Sequence, residues 1–194
     1  MKTQVIVLAA GESSRMGRNK LLLMLNDKLV IEHVMDSIEG YRTIVVTGHQ
    51  PEDIKVIVER CGAKIVHNAD YKLGMISSFQ VGLRAIDLDT DAVFMALSDN
   101  FGFKPILLDM MVEKMLSENA LFVSPVFKGK SGHPVLVSKK LFSEFLNLSI
   151  NKTMKDVVLR YNQEHQYVKG NIWTVFDMDT LEDYRKLKRL WSTR

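Results

Sequence analysis

The chain has 194 residues, an apolar fraction of 46% and a formal net charge of +3, which together predict one domain over residues 1–194 with a single core. Its 26 basic and 23 acidic residues are spread along the sequence, so neither a nucleic-acid-binding stripe nor a polybasic membrane patch is expected. One cysteine excludes an internal disulfide, and without a signal peptide or an apolar run of about 20 residues the protein is expected to be cytoplasmic.

Apolar segments alternate with helical patterns along the chain, which is typical of βα units on a mostly parallel sheet. We therefore predict a three-layer α/β/α sandwich with ligands beyond the carboxyl ends of its strands. The predicted strands are 3–9, 43–47, 64–67, 92–97, 121–126, 134–137 and 172–176, and at least one of the last two is expected to pair antiparallel, at an edge or a bend. The predicted helices are 29–38, 54–61, 76–86, 104–116, 139–146, 153–161 and 181–191. Apolar neighbours of Cys61 predict a buried thiol.

The loop after the first strand combines glycines, hydroxyl groups and two spaced cations. Residues 8–20 read Leu-Ala-Ala-Gly-Glu-Ser-Ser-Arg-Met-Gly-Arg-Asn-Lys. Gly11 permits close approach of a ligand to the backbone, whose N–H groups can bind an anion, and Arg15 and Lys20 supply charged donors. The loop has neither a Rossmann fingerprint nor a Walker A motif. Its composition suits a polyphosphate, although an ordinary solvated βα loop accounts for that composition equally well.

The order of residues in this loop resembles Leu-Ala-Ala-Gly-x-Ser-x-Arg-Met-Gly-x-x-Lys, the signature of the MobA/MocA-like NTP transferase family, which includes molybdenum cofactor cytidylyltransferases and guanylyltransferases. Residues 74–78 look like the family's Gly-Met-x-x-Ser segment at the head of a helix, and residues 129–135 resemble the Gly-x-x-Gly-His-Pro-Val element of the cytidylyltransferase branch. Taken alone, the first segment reads as a helix cap. A satisfied loop histidine is one interpretation of His133, but its position between a glycine-rich turn and a strand favours a role near the acceptor substrate. The resemblance implies a nucleotide-diphospho-sugar transferase-like (Rossmann-like) fold.

Carboxylates follow two of the predicted strands. Asp99 comes after Ser98 at the carboxyl end of strand 92–97, where ligands bind in open α/β sheets. Asp177 and Asp179 follow strand 172–176 and match the family's Asp-x-Asp-Thr element, although Asp179 alone reads as the N-cap of the last helix. Carboxylates from two strand ends, with triphosphate oxygens and water, suit Mg²⁺. We predict Asp99 as one ligand and Asp177 or Asp179 as the second, a choice the sequence leaves open.

The reaction that the resemblance implies is attack by a phosphate oxygen of the acceptor on the α-phosphorus of a nucleoside triphosphate, with pyrophosphate as the leaving group. A phosphate monoester is already ionised, so positioning and charge neutralisation replace a strong base. The predicted catalytic residues are Arg15, Lys20 and Asp99. The predicted substrate-binding residues are Leu8, Ala9, Ala10, Gly11, Glu12, Ser13, Gly74, Met75, Ser77, Ser78, Ser98, Gly132, His133 and Pro134.

Residues 99–103 read Asp-Asn-Phe-Gly-Phe and depart from the Asp-Gln-Pro of the cytidylyltransferase branch. Two alternatives are open for Phe101 and Phe103: they stack on a ring of the acceptor, or they pack against the following helix. CTP is favoured because residues 9–11 are Ala-Ala-Gly, whereas the guanylyltransferase branch more often has Ala-Gly-Gly.

The resemblance therefore implies a molybdenum cofactor cytidylyltransferase that uses CTP, Mg²⁺ and a molybdopterin-type acceptor, and that delivers its product to a molybdenum hydroxylase. One alternative is a nucleotidyltransferase for a sugar phosphate or an isoprenoid precursor. The other is a non-catalytic carrier of the molybdenum cofactor with the same fold. The predicted phosphate-binding and metal-binding groups speak against a carrier, which needs neither.

Overall fold

A mixed, mostly parallel β-sheet forms the centre of the computed structural model, which describes residues 1–193. The strands are β1 (Thr3–Ala9), β2 (Met24–Leu25), β3 (Lys28–Leu29), β4 (Arg42–Thr47), β5 (Lys64–His67), β6 (Ala92–Leu97), β7 (Phe122–Phe127), β8 (Lys130–Ser131), β9 (Val135–Ser138) and β10 (His165–Lys169). The sheet has the order β10-β7-β9-β6-β1-β4-β5, and β8 pairs with β7. Strands β2 and β3 form a separate antiparallel ribbon.

Helices cover both faces of the sheet. They are α1 (Val30–Ser37), α2 (Glu52–Arg60), α3 (Met75–Ala85), α4 (Ile106–Glu118), α5 (Phe142–Leu146), α6 (Met154–Arg160) and α7 (Leu181–Trp191). Because successive side chains of a strand point to opposite faces, Val5 and Val7 of β1 pack with α1, α2, α4 and α7, whereas Ile6 and Leu8 pack with α3, α5 and α6. The predicted three-layer α/β/α sandwich is thus confirmed. None of the helices in the described part of the chain has the length and apolar character of a membrane span.

The register of the central strands brings their carboxyl ends together. Strand β1 pairs in parallel with β4 and β6, with Ala9 opposite Thr47 and Leu8 opposite Leu97. The loops after β1, β4, β5 and β6 therefore meet at one edge of the sheet. Strand β9 runs antiparallel between β6 and β7, and its first residue, Val135, lies opposite Met95. An antiparallel late strand was predicted; it lies inside the sheet and starts at the edge that carries the other loops.

The prediction of a strand at residues 172–176 is wrong. Residues Ile172–Thr174 form a 3₁₀ turn, in which the side chain of Asn171 accepts a hydrogen bond from the Trp173 N–H at 3.0 Å. Trp173 and Thr174 are buried by tertiary packing and not by strand pairing. The edge strand on this side of the sheet is β10, which the prediction missed because its sequence, His-Gln-Tyr-Val-Lys, lacks a continuous apolar run.

The buried thiol predicted at Cys61 is also wrong, since Cys61 is exposed. It follows the last turn of α2, whose buried side chains are Ile54 and Val58. Cys61 is three residues after Val58 and seven after Ile54, so helical spacing alone would place it on their buried side. It is exposed because it is the C-cap residue, where α2 ends.

Candidate active site

A pocket of about 320 Å³ lies at the carboxyl ends of β1 and β6. Three segments that are distant in sequence form it. They are the loop after β1, the 3₁₀ turn Tyr71–Leu73 with the start of α3, and the end of β6. The residues that line it are Leu8, Ala9, Ala10, Gly11, Ser13, Lys20, Leu21, Tyr71, Gly74, Met75, Ser78, Leu97, Ser98 and Asp99. Most of the substrate-binding residues predicted in these three segments therefore meet around one pocket.

The loop after β1 is held in shape by local hydrogen bonds. Ser13 has a φ of 51°, its carbonyl accepts from the Met16 N–H at 2.9 Å, and its hydroxyl oxygen accepts from the Lys20 N–H at 3.2 Å. Gly17, with a φ of 66°, ends the short 3₁₀ turn at Ser14–Met16. Met16 is 3% exposed and anchors the loop in the core. This folding returns Lys20 toward the end of β6.

Lys20 lies between carboxylates that belong to separate parts of the chain. Its Nζ is 2.5 Å from Asp99 Oδ2 and 3.5 Å from Asp179 Oδ1, and it donates to the Met178 carbonyl at 3.1 Å. The Lys20 and Asp99 side chains are only 16% and 15% exposed, so solvent screens this pair weakly. On the outer side, Arg15 Nη2 is 2.9 Å from Asp179 Oδ2. The four side chains form a row of alternating charges, which we call the Lys20 cluster.

The two C-terminal aspartates have different surroundings. Asp177 is 54% exposed and lies 3.7 Å from Lys130 Nζ, whereas Asp179 belongs to the Lys20 cluster. The N-cap of α7 is Thr180, whose hydroxyl accepts from the Asp183 N–H at 3.1 Å. The carboxylate of Asp179 is thus not used for capping, contrary to the interpretation of Asp179 as an N-cap. Asp179 is the C-terminal aspartate that shares a contact with Asp99.

The carboxylates provide limited coordination by themselves. Among residues 1–193, no group of three or more His, Cys, Asp or Glu side chains is placed to hold a metal ion. Asp99 and Asp179 converge on the same ammonium group beside the pocket. Mg²⁺ typically takes one or two protein carboxylates and completes its shell with water and substrate phosphates. The pair therefore fits a cation that binds together with a polyphosphate.

The start of α3 is organised by Asn68, which the sequence analysis missed. Asn68 is 2% exposed, and its Nδ2 donates to the hydroxyl oxygens of Ser77 and Ser78, both at 2.9 Å. Ser77 in turn donates to the Gly74 carbonyl at 2.8 Å, and it does not line the pocket. Ser78 does line it, and because its oxygen accepts from Asn68, its own O–H can donate to a ligand. The signal for Asn68 was its position directly after β5, at the edge where the other loops meet.

Tyr71 forms a wall of the pocket that the sequence analysis also missed. Its hydroxyl donates to Glu12 Oε1 at 3.2 Å, and Lys72 Nζ lies 3.7 Å from the same carboxylate. Glu12 is therefore bound to the pocket wall and is not among the lining residues. Gly48 makes this packing possible, because a Cβ there would lie 2.6 Å from Tyr71 Cβ and 2.8 Å from the Ala10 carbonyl oxygen.

The predicted binding residues Gly132, His133 and Pro134 lie outside the pocket lining. The His133 N–H donates to the Thr174 carbonyl at 2.8 Å, and a Cβ on Gly132 would lie 1.9 Å from that oxygen. Burial lowers the pKa of the His133 imidazole, while a hydrogen bond to the Met95 backbone and the charges of Asp177 and Asp99 oppose that shift. The lowered pKa favours the neutral form of the imidazole. Its Nδ1 is buried and has no hydrogen-bond partner within residues 1–193.

Phe101 and Phe103 belong to the core. Each is 3% exposed, and Phe101 stacks on His33 with ring centroids 5.9 Å apart and an interplanar angle of 13°. Both pack in the cluster that contains α1, α4 and α7. The packing alternative is therefore the one the structure supports, and the stacking of these rings on an acceptor is excluded by their burial.

The sequence of the chain matches known proteins over most of its length. The family model for the MobA-like NTP transferase domain matches residues 5–166. The chain is 25% identical over 191 residues to the molybdenum cofactor cytidylyltransferase of Escherichia coli (strain K12), covering 96% of both chains. It is also 25% identical over 202 residues to the probable molybdenum cofactor guanylyltransferase of Natranaerobius thermophilus, covering 95% of this chain and 94% of that one.

A solved structure supports the fold. The manganese complex of Rv0371C from Mycobacterium tuberculosis H37Rv is similar to this chain, with a TM-score of 0.79 and 21% identity over 97% of this chain and 98% of that one. The predicted nucleotide-diphospho-sugar transferase-like (Rossmann-like) fold is thereby confirmed.

Proposed function

Because the chain belongs to the MobA-like NTP transferase family, we propose that it is a cytidylyltransferase that joins CTP to a molybdopterin-type phosphorylated acceptor and releases pyrophosphate. The Lys20 cluster beside the pocket carries this proposal. It combines a fixed cation with two carboxylates next to a glycine-containing loop, as substitution at the phosphorus of a nucleotide requires.

Lys20 and Arg15 are the proposed phosphate-binding cations. Lys20 is held by Asp99, Asp179 and the Met178 carbonyl, so its ammonium group is positioned before the nucleotide arrives. Such prior positioning lowers the reorganisation that accompanies charge development in the transition state. Arg15 is 68% exposed and lies on the outer side of Asp179, where it can reach the triphosphate from solvent. The backbone of Gly11 to Ser13 would bind further phosphate oxygens.

Asp99 and Asp179 would hold a divalent cation, proposed to be Mg²⁺. They contact the same Lys20 Nζ from separate chain segments, which brings carboxylate oxygens together beside the pocket. The metal ion, when bound, neutralises charge on the triphosphate and orients it. The manganese complex of the similar M. tuberculosis protein is consistent with a divalent ion in this fold. Asp177, which faces Lys130, is left out of the proposed ligand set.

We propose that the nucleotide binds on one side of the Lys20 cluster and the acceptor on the other. Residues 9–11 and Ser78 line the pocket and would contact the nucleotide, and the Ala-Ala-Gly sequence is the support for CTP over GTP. His133 is half-buried and lies in the electrostatic field of Asp99 and Asp177, and it is the proposed contact to the acceptor. The similarity to a molybdenum cofactor cytidylyltransferase over nearly the whole chain supports the molybdopterin-type acceptor.

The test is the thermal midpoint of the purified protein with CTP, GTP, ATP and UTP, each with and without Mg²⁺. A ligand at about 100 times its Kd adds about 2.7 kcal/mol, which raises the midpoint of a domain of this size by about 5–10 °C. The expected result is a Mg²⁺-dependent rise that is largest with CTP, followed by pyrophosphate release when molybdopterin is added.

Other outcomes contradict separate parts of the proposal. A larger rise with GTP would replace cytidylyl by guanylyl transfer. Binding of CTP without pyrophosphate release in the presence of molybdopterin would favour another acceptor, such as a sugar phosphate. No rise with any of the four nucleotides would contradict nucleotidyl transfer and favour a carrier.

A further inference from the structure

Asn100 is a buried polar residue that the proposed reaction does not use. It directly follows Asp99 and is 3% exposed. Its backbone N–H donates to the Leu97 carbonyl at 3.2 Å, and its side-chain Nδ2 donates to the Phe176 carbonyl, also at 3.2 Å. Asn100 is therefore bound both to the end of β6 and to the segment that precedes Asp177.

The side-chain bond joins the two segments that carry the carboxylates of the Lys20 cluster. Asn100 and Phe176 are 76 residues apart in sequence. Beyond Phe176, the Met178 side chain is fully buried and the Met178 carbonyl accepts from Lys20. The short segment that ends at Asp179 is thus held by Asn100 before its first aspartate and by Lys20 before its second.

The chemistry of the amide fixes its orientation. A carbonyl oxygen only accepts hydrogen bonds, so the Nδ2 of Asn100 must face Phe176. The Oδ1 is then left buried without a partner among residues 1–193. Burial of an unpartnered oxygen is unfavourable, and leucine would fill a similar volume without it. Packing alone therefore does not favour asparagine at this position, whereas a bond between the two carboxylate segments does.

We propose that Asn100 is a positioning residue that sets the spacing between the Asp99 and Asp179 carboxylates and thereby strengthens binding of the divalent cation with the nucleotide. This inference rests on the proposed function, in which the two aspartates hold the cation. Residues that orient metal ligands typically change metal affinity by about 10-fold to 100-fold when they are replaced. The same range is expected when the Asn100 amide is removed.

Binding of Mn²⁺ in the presence of saturating CTP, measured by ultrafiltration as the Mn²⁺ retained with the protein, tests the inference without relying on turnover. Asn100→Leu should weaken Mn²⁺ binding by at least about 10-fold. Asn100→Ala should do the same and serves if the leucine variant does not fold. Asn100→Gln keeps the amide and should recover part of the affinity.

Gln80 provides a matched control. It is also a buried amide, and its Nε2 donates to the carbonyls of Phe145 and Leu148 at 2.9 and 2.8 Å, in the layer of α3 and α5. Gln80→Met should lower the thermal midpoint but leave the Kd for Mn²⁺ unchanged. Equal Mn²⁺ affinity in the wild type and in a folded Asn100→Leu or Asn100→Ala variant would overturn the proposed role of Asn100 but not the proposed metal site. Failure of the wild type to bind Mn²⁺ with CTP would instead overturn the proposed metal site.

Discussion

The two halves of the sheet form their parts of the candidate site in different ways. In the parallel half (β1, β4, β5 and β6), the pocket residues come from loops that directly follow the strands, and local hydrogen bonds shape these loops. In the mixed half (β7, β8, β9 and β10), residues 132–134 pack against the 3₁₀ turn Ile172–Thr174, and the 177–179 segment is held by Asn100 and Lys20. Local hydrogen bonds therefore shape the individual loops of the first part, whereas contacts between distant segments shape the second.

The halves also contain two lysine–aspartate pairs that differ in burial. Lys20 and Asp99 are 2.5 Å apart with side chains 16% and 15% exposed, whereas Lys130 and Asp177 are 3.7 Å apart and 64% and 54% exposed. Solvent and counterions screen the second pair, so its position is weakly fixed. A charge that stabilises a transition state must be held in place before the reaction, which favours the first pair as the functional one.

Removal of the buried lysine should have the largest effect. Lys20→Met keeps most of the side-chain length but removes the charge, and pyrophosphate release should fall on the order of 10³-fold, as for other pre-positioned groups that stabilise developing negative charge. Lys130→Met is the matched control and should change the rate by less than about twofold, because its charge is exposed. Steady-state pyrophosphate release with CTP and molybdopterin measures both. Comparable losses in the two variants would contradict the distinction between the pairs.

Replacement of Asp179 should likewise lower the rate more than replacement of Asp177. Asp179→Asn should lower pyrophosphate release about 100-fold, which corresponds to about 2.7 kcal/mol of transition-state stabilisation, and should raise the Mg²⁺ concentration required for half-maximal rate. Asp177→Asn should leave both quantities nearly unchanged, since the ion pair of Asp177 is with the exposed Lys130. A larger loss in Asp177→Asn would exchange their assignments.

The sequence predicts the parallel half of the sheet better than the mixed half. Strands 3–9 and 92–97 were predicted with the bounds of β1 and β6, because strands buried on both faces have continuous apolar sequences. Strand 64–67 was also predicted with the bounds of β5, although β5 is a partly exposed edge strand. The loop of residues 8–20 follows β1 and Asp99 follows β6, so the sequence predicted Lys20 and Asp99 at the same edge of the sheet, and both line the pocket there.

The mixed half was predicted less well for a physical reason. Within the apolar residues 172–176, Trp173 is buried against Trp191 and Thr174 against residues 132–133, and hydropathy alone cannot distinguish such burial from strand pairing. The contact between Asn100 and Phe176 and the choice between Asp177 and Asp179 depend on side-chain directions in three dimensions. Asn68 and Tyr71 were missed because single polar or aromatic residues outside a recognised motif carry little signal in one sequence.

Two glycine substitutions, one in each half of the sheet, should differ in their effect on the free energy of unfolding. Gly132→Ala should lower the free energy of unfolding by about 1–3 kcal/mol, because its Cβ would lie 1.9 Å from the Thr174 carbonyl oxygen and force the segments apart. Gly11→Ala should change that free energy by less than about 0.5 kcal/mol, since its Cβ has no atom within 4 Å, but it should weaken CTP binding because the methyl group enters the pocket. Urea denaturation and a CTP titration measure the two quantities. Equal stability of the variants would mean that residues 132 and 174 move apart at little cost.

The smallest expected effect is a pH dependence of stability that originates in β10. Burial lowers the pKa of His165 from its ordinary value of 6.5 to about 4, and its Nε2 is paired with the Ser124 hydroxyl at 2.9 Å. Because the unfolded chain binds a proton at higher pH than the folded chain, this stabilising contribution is complete above pH 6.5 and is lost as the pH falls toward 4. In His165→Gln the decline in the free energy of unfolding between pH 7 and pH 4.5 should be smaller than in the wild type. Burial of His133 acts in the same direction, so part of the decline should remain. Urea denaturation at several pH values measures both slopes, and equal slopes would mean that the environment of β10 accommodates a charged imidazole.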